Sequence, residues 1–351
     1  MAYTIINNGS LFMNSTLYTG NSTATAHTVG FQPDFTWLKV RNASGAHYLF
    51  DSVRLATNYI QSNSNVVQGT DAQTLKSFDA NGYTVGTSNS VNTNGETMVG
   101  WNWKAGTAVS GNTGGSGTAK TYTGSVNATA GFSIIKYTGN GTLGHTIPHH
   151  LGVAPSMMII KITAGDTSDW YVYHKSLGNT GILFLSAANA VSNSNAYWNS
   201  TTPTSSVFTV GDQTGSNSNN NTFISYNFAD VQGFSKIGSY TGNGSSDGTF
   251  CYTGMKPSWV LIKQSSGGND WWIYDNKRDT FNLATHGLRP SNANAEVNYS
   301  ATDTMNLDLL SNGFKIKSTD GALNGNGSSY IFMAFAEAPL VGTNNVPCTA
   351  R

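Results

Sequence analysis

The apolar positions of this chain fall into one ten-residue pattern that occurs three times. It reads Gly, apolar, any, Pro, any, apolar, any, two apolars, Lys, and its copies are Gly30–Lys39, Gly152–Lys161 and Gly254–Lys263. Pro33, Pro155 and Pro257 stand 122 and 102 residues apart. Self-similarity at a long period marks an architecture built from repeated units. In each copy Gly takes the unusual backbone angle and Pro opens a strand, where its missing N–H is tolerated. Apolar residues two and four positions after Pro (Phe35/Trp37, Met157/Ile159, Trp259/Leu261) point to one face, and those five after it (Leu38, Ile160, Ile262) point to the other. A strand apolar on both faces is predicted to be central and covered twice. The closing Lys39, Lys161 and Lys263 are expected to snorkel or to mark the strand exit.

Four further elements recur around the proline strand. Tyr18-Thr-Gly-Asn21, Tyr137-Thr-Gly-Asn140 and Tyr240-Thr-Gly-Asn243 precede it and read as strands ending in a Gly-Asn turn. An aromatic strand follows it: Tyr48–Asp51, Trp170–His174 and Trp271–Asp275. Then come Gly82–Gly86, Val207–Gly211 and Gly313–Ile316, and each repeat closes with Met98–Trp103, Phe223–Phe228 or Ile331–Phe335. Five or more strands per repeat predict an all-β chain of three tandem antiparallel β-sandwich or jelly-roll modules. Their spans are 1–105, 131–232 and 233–342, with a Gly/Ser/Thr-rich linker or extended arm at 106–130 and an irregular tail at 343–351. Short helices are expected only at Asp303–Leu310 and, in the equivalent place, at Asp71–Leu75.

Composition fits that picture. The chain has 351 residues, 39 of them Gly, with Asn, Ser and Thr abundant and only 10% charged residues. Its 18 basic and 18 acidic residues cancel, which leaves no electrostatic footprint for nucleic acid or for an anionic membrane. Two cysteines, Cys251 and Cys348, are too few for a disulfide framework and are expected to be free thiols. The N-terminal residues show no signal peptide and no run is long enough for a transmembrane helix, so folding in a cytosol and no membrane insertion are expected.

Catalytic patterns dissolve on inspection. Gly139-Asn-Gly141-Thr-Leu-Gly144 has dinucleotide-fingerprint spacing, but Pro148 follows where a helix must open. Gly244-Ser-Ser246-Asp-Gly248 has nucleophile-elbow spacing without a helix. His145, His149 and His150 read as loop histidines, with His149 aligned opposite His27, and Asp212, Asp247 and Asp320 read as solvated turns rather than calcium loops. No enzyme activity, cofactor or metal is expected. The aromatic content points elsewhere. Adjacent Trp271 and Trp272 must face opposite sides of their strand. One of them is therefore either covered by a second layer or presented to a partner, burial or subunit contact standing ahead of glycan contact. Trp170, Trp271, Trp272, His149 and His150 are the candidate glycan or partner contacts.

The strings Gly30–Lys39, Phe50-Asp-Ser-Val-Arg54-Leu-Ala-Thr57, Trp101-Asn-Trp-Lys-Ala-Gly106, His150–Pro155, Leu309–Lys315 and Met333–Pro339 resemble a family of uncharacterised repeat proteins of tailed, many of them marine, bacteriophages. The resemblance covers nearly the whole chain. It implies a virion structural protein, a head decoration or part of a tail fibre or spike, assembled in the host cytoplasm. Its implied partners are other virion proteins and further copies of itself. Host-surface glycan is the partner in the alternative reading as an adhesin, and a polysaccharide depolymerase is a third. Asp51 and Arg54 of the first module are read as a local ion pair, because the second and third modules depart from the string with Tyr173-His174 and Tyr274-Asp275-Asn276-Lys277-Arg278.

Overall fold

Three equivalent aromatic rings, one from the closing strand of each module, meet at the centre of the molecule. Trp103, Phe228 and Phe335 are in mutual contact, with centroids 6.4 Å (Trp103–Phe228), 5.7 Å (Trp103–Phe335) and 5.9 Å (Phe228–Phe335) apart. The computed structural model, which describes residues 3–300, 304–342 and 346–349, is all-β and antiparallel throughout its named strands.

Each module has a large and a small sheet. In the first, Met13–Thr19, Thr97–Trp103, Phe35–Val40, Tyr48–Asp51, Asn58–Gln61 and Gly69–Thr70 lie side by side in that order. The small sheet runs Thr25–Thr28, Gly82–Val85, Leu75–Asp79. The second and third modules repeat the core of this plan around Met157–Ala164 and Met255–Gln264.

The proline strand is buried along its whole length in the first module, for the reason its pattern predicts. Phe35 and Trp37 join a core shared by all three modules, while Leu38 packs with Tyr83 and Val85 of the small sheet. Met157 and Ile159 likewise face the shared core, and Met158, Ile160 and Ile162 face their own small sheet. One side of each large sheet closes a sandwich and the other closes the ring. The modules therefore depend on one another for a covered face.

Several expectations are corrected. The segment 106–130 is not a free linker: Thr107–Asn112 and Thr121–Asn127 form a hairpin that extends the large sheet of the second module beyond Phe132–Thr138. Asn306–Leu310 is a strand paired with Gly313–Lys317, not a helix, and Asp303 lies outside the described residues. In the first module Asp71 and Thr74 form a turn that leads into the strand Leu75–Asp79. Isolated apolar spacing over so few residues does not separate strand from helix, and pairing with the next strand decided it. Of the tail, residues 343–345, 350 and 351 lie outside the described residues. Cys251 is buried, and both cysteines are free.

Candidate functional site

Two structural systems use the recurring side chains. The first is a latch within each module. Tyr18, Tyr137 and Tyr240 each donate a 2.7 Å hydrogen bond to a carbonyl of a four-residue helix, at Val91, Ser216 and Leu323. The last residue of that helix is a buried asparagine, Asn92, Asn217 or Asn324. Its Oδ1 accepts the backbone N–H of Asn21, Asn140 or Asn243 at 2.9–3.0 Å. Its Nδ2 is held by turn carbonyls, such as those of Ser245 and Ser318 at 2.8 Å from Asn324. Between Tyr and Asn, glycine is required: a Cβ on Gly20, Gly139 or Gly242 would lie 2.1–2.4 Å from a carbonyl oxygen of the helix end. The recurring Tyr-Thr-Gly-Asn string is thus a structural lock. Its helix partner was hidden in sequence, because a one-turn helix has no periodicity to detect. The dinucleotide-like glycines 139 and 141 belong to this lock.

The second system fastens the modules into a closed ring. Gln68 N–H donates to Thr163 O at 3.1 Å, Val191 N–H to Ser265 O at 2.9 Å, and Glu296 N–H to Arg41 O at 2.7 Å. These are first to second, second to third and third to first module. Trp170 Nε1 donates to Gln61 O and Trp271 Nε1 to Phe184 O, both at 2.9 Å, while His47, at the equivalent position of the first module, accepts from Trp37 Nε1 of its own module at 2.9 Å. At the far end of the aromatic strand, Asp51 accepts from the Tyr226 hydroxyl at 2.7 Å and Asp275 from Trp101 Nε1 at 2.9 Å. His174, their counterpart, faces Phe332 O at 3.5 Å.

Charge is built into these seams. Arg54 Nε lies 2.5 Å from Asp51 Oδ2 and Arg278 Nε lies 2.6 Å from Asp275 Oδ2, with all four side chains essentially inaccessible. Arg54 also donates to Leu49 O and Arg278 to Ile273 O, at 3.0 and 2.9 Å. The pair read in the first module is therefore duplicated in the third, and it is an inter-module joint rather than a surface contact. Lys39, Lys161 and Lys263 do not snorkel; all are wholly buried. Lys161 Nζ donates to Asn65 O at 2.8 Å and Lys263 Nζ to Ala188 O at 3.1 Å, each across a seam. Burial pushes all three ammonium groups down to about 8.

The residues assigned to an external contact mostly lie inside. Trp170, Trp271 and Trp272 are all at most 4% exposed. The first two bind neighbouring modules, and Trp272 lies under Arg289, 5.3 Å from its ring, and against Tyr299. The second layer covering the Trp271–Trp272 strand is another module of the same chain. His149 is buried, with Nε2 3.1 Å from Thr204 O and Nδ1 accepting from Leu151 N–H. His150 alone is exposed, 2.8 Å from the Tyr122 hydroxyl on the hairpin. Register places Ile147 rather than His149 opposite His27, since His27 pairs with Tyr83 as Ile147 pairs with Phe208. His145 is held by Asn217 and Thr113.

Among the described residues no group of three or more His, Cys, Asp and Glu is placed to hold a metal. Asp320 caps a helix and Asp247 pairs with Lys315. No helix is long and apolar enough to cross a membrane. The surface keeps shallow clefts between modules. One of about 270 Å³ is lined by Asn14, Ser258, Asn276, Lys277 and Glu337, between the first and third.

A family model described as a domain of unknown function, DUF7483, matches residues 8–339. The chain belongs to this family. The DUF7483 match spans all three modules and the hairpin, so the DUF7483 unit is the closed ring and not a single repeat. No curated protein and no solved structure matches the chain.

Proposed function

We propose that this chain is a structural protein of the phage virion surface, a head decoration or a component of a tail fibre or spike, acting by protein–protein assembly. The observation that carries this reading is where the chemistry-bearing side chains are used. The buried Asp–Arg pairs, Lys161 and Lys263, Trp170 and Trp271, and His174 fasten one module to the next. A ring so constructed is a rigid block whose free groups are on loop tips and sheet edges. The resemblance of the Gly30–Lys39 and Met333–Pro339 strings to phage repeat proteins, and a net charge of zero, agree with a life inside an assembly.

Antibody labelling of purified particles in the electron microscope tests this. Label at the capsid surface or tail tip is expected, and a protein missing from purified particles would end the reading. The adhesin alternative must now use other aromatics, since the tryptophans are covered. Phe281, at 79% exposure, Tyr252, at 56%, and Phe250, at 44%, are among the aromatic faces open to a sugar. A glycan array with Phe281→Ala and Tyr252→Ala variants separates the two readings.

A further inference from the structure

The opening strands of the three modules occupy the same edge of their large sheets, and each edge is treated differently. In the second module Phe132–Thr138 is covered by the hairpin strand Thr121–Asn127. In the third, Ser235–Thr241 is blocked: Asp230 Oδ1 accepts the Ile237 N–H at 2.7 Å, and Thr249 Oγ1 donates to Thr241 O at 2.7 Å. Lys236 and Lys175 converge on Asp230 there, so charge guards that edge.

In the first module Met13–Thr19 ends its sheet, with no strand beyond it among the described residues. Lys104 N–H bonds Phe12 O and Gly20 N–H bonds Glu96 O, so the even positions turn their backbone groups to Thr97–Trp103. Ser15, Leu17 and Thr19 consequently turn theirs outward. The strand Met-Asn-Ser-Thr-Leu-Tyr-Thr carries no charge and no proline, which are the usual means of blunting an edge. Leu17 is 42% exposed at its middle. A cleft of about 390 Å³ runs beside it, lined by Asn14–Leu17, His27, Thr28 and a single cation, Lys277.

We propose that Met13–Thr19 is a homodimer interface, in which two copies pair edge to edge and antiparallel, Leu17 opposite Leu17 and Ser15 opposite Thr19. The hairpin on the second module shows that this edge geometry accepts a strand. An antiparallel edge is its own complement under a twofold axis. With no charge on the strand, no like charges stand opposite one another in the strand pairing, Lys277 being the one cation lining the cleft beside it, and a chain of zero net charge has no long-range repulsion to overcome. The two sheets become one continuous sheet, and both Leu17 side chains leave water. This pairing does not depend on the virion reading.

Sedimentation equilibrium of the full chain over a concentration series tests it. The wild type is expected to double its mass as concentration rises. Leu17→Lys places two ammonium groups face to face and should raise the dissociation constant by at least about tenfold. Thr19→Pro, which deletes an outward N–H, should do likewise if the lysine variant folds poorly by circular dichroism. Ser239→Lys, on the guarded edge, should dimerise as the wild type does. A wild type that stays monomeric overturns the proposal, as does undiminished dimerisation of both edge variants. Growth beyond two copies also overturns it, because that would bring the hairpin's outer edge, Thr107–Asn112, into a head-to-tail contact.

Discussion

Asp275 accepts a hydrogen bond from the indole of Trp101, 174 positions earlier, at 2.9 Å, while its same oxygen holds the buried guanidinium of Arg278 at 2.6 Å. One carboxylate thus joins the last module to the first and neutralises the cation beneath it. This contact closes the ring, because the corresponding contacts of Asp51 and His174 join the other modules in the same sense.

Removing that carboxylate leaves Arg278 buried with Glu296 as its remaining anion. Asp275→Ala is expected to cost about 3–5 kcal/mol, the usual penalty for breaking a buried pair. Asp51→Ala should cost at least as much, since no other salt bridge reaches Arg54 among the described residues. Lys175→Ala, which breaks an exposed pair with Asp230, should cost under about 1 kcal/mol. Denaturant titration of the three variants gives the ranking.

Trp103 touches Phe228, Phe335, Trp259 and Phe35 across all three modules. Trp103→Ala is expected to cost about 3–5 kcal/mol. Because the shared core belongs to no single module, unfolding should be one transition by tryptophan fluorescence and by far-ultraviolet circular dichroism. Separate transitions would show that the modules fold independently.

The latch is expected to tolerate little change. Asn324→Ala strands the carbonyls of Ser245 and Ser318 and the N–H of Asn243, each costing roughly 1–3 kcal/mol if left unpaired. Gly20→Ala would press a methyl group 2.1 Å from Thr93 O, so the melting temperature should fall in both variants. A Gly95→Ala control separates crowding from backbone strain: its site is open, although its φ is +81°.

The three buried lysines should add stability on moving from about pH 8 to about 10, opposed in part by the thiol of Cys251, which burial pushes up. Desolvation lowers Lys39, Lys161 and Lys263 to about 8 in the fold, whereas an unfolded lysine titrates near 10.4. In that window the unfolded chain binds more protons at these lysines, so through them each unit of pH favours the native state. The buried tyrosines act in the opposite sense at higher pH. Burial raises Tyr137 and Tyr240 well above their ordinary value, so their contribution is lost above about pH 10. Melting temperature against pH for the wild type and Lys263→Met checks this, the variant losing part of the rise.

Acid should open the seam between the second and third modules. Burial lowers His174 to about 4, against an unfolded value near 6.5. Its neutral form is favoured by the fold, and stability falls as pH drops from about 6.5 to about 4. His174→Asn should reduce this acid dependence, measured as the midpoint of unfolding at pH 7 and pH 4.5.

The chain's own sequence determined the repeats and much of their internal form. Period-two alternation, Gly-Asn turns and a proline at the strand start are local signals, so the central strands of Pro33, Pro155 and Pro257 were legible, as was their burial on both faces. Tertiary structure decided what covers them. Nothing near Trp271 or Trp272 in the chain shows that the second layer is another module, and nothing near Lys161 shows that a carbonyl at Asn65 awaits it. The strand character of 106–130 and of Asn306–Leu310 likewise came from pairing with a partner strand. Propensity and spacing act over a few bonds, whereas the ring is made by contacts between residues far apart in the chain, 75 positions for Lys263 and Ala188 and 255 for Arg41 and Glu296, where only the packed fold brings donor, acceptor and ring face together.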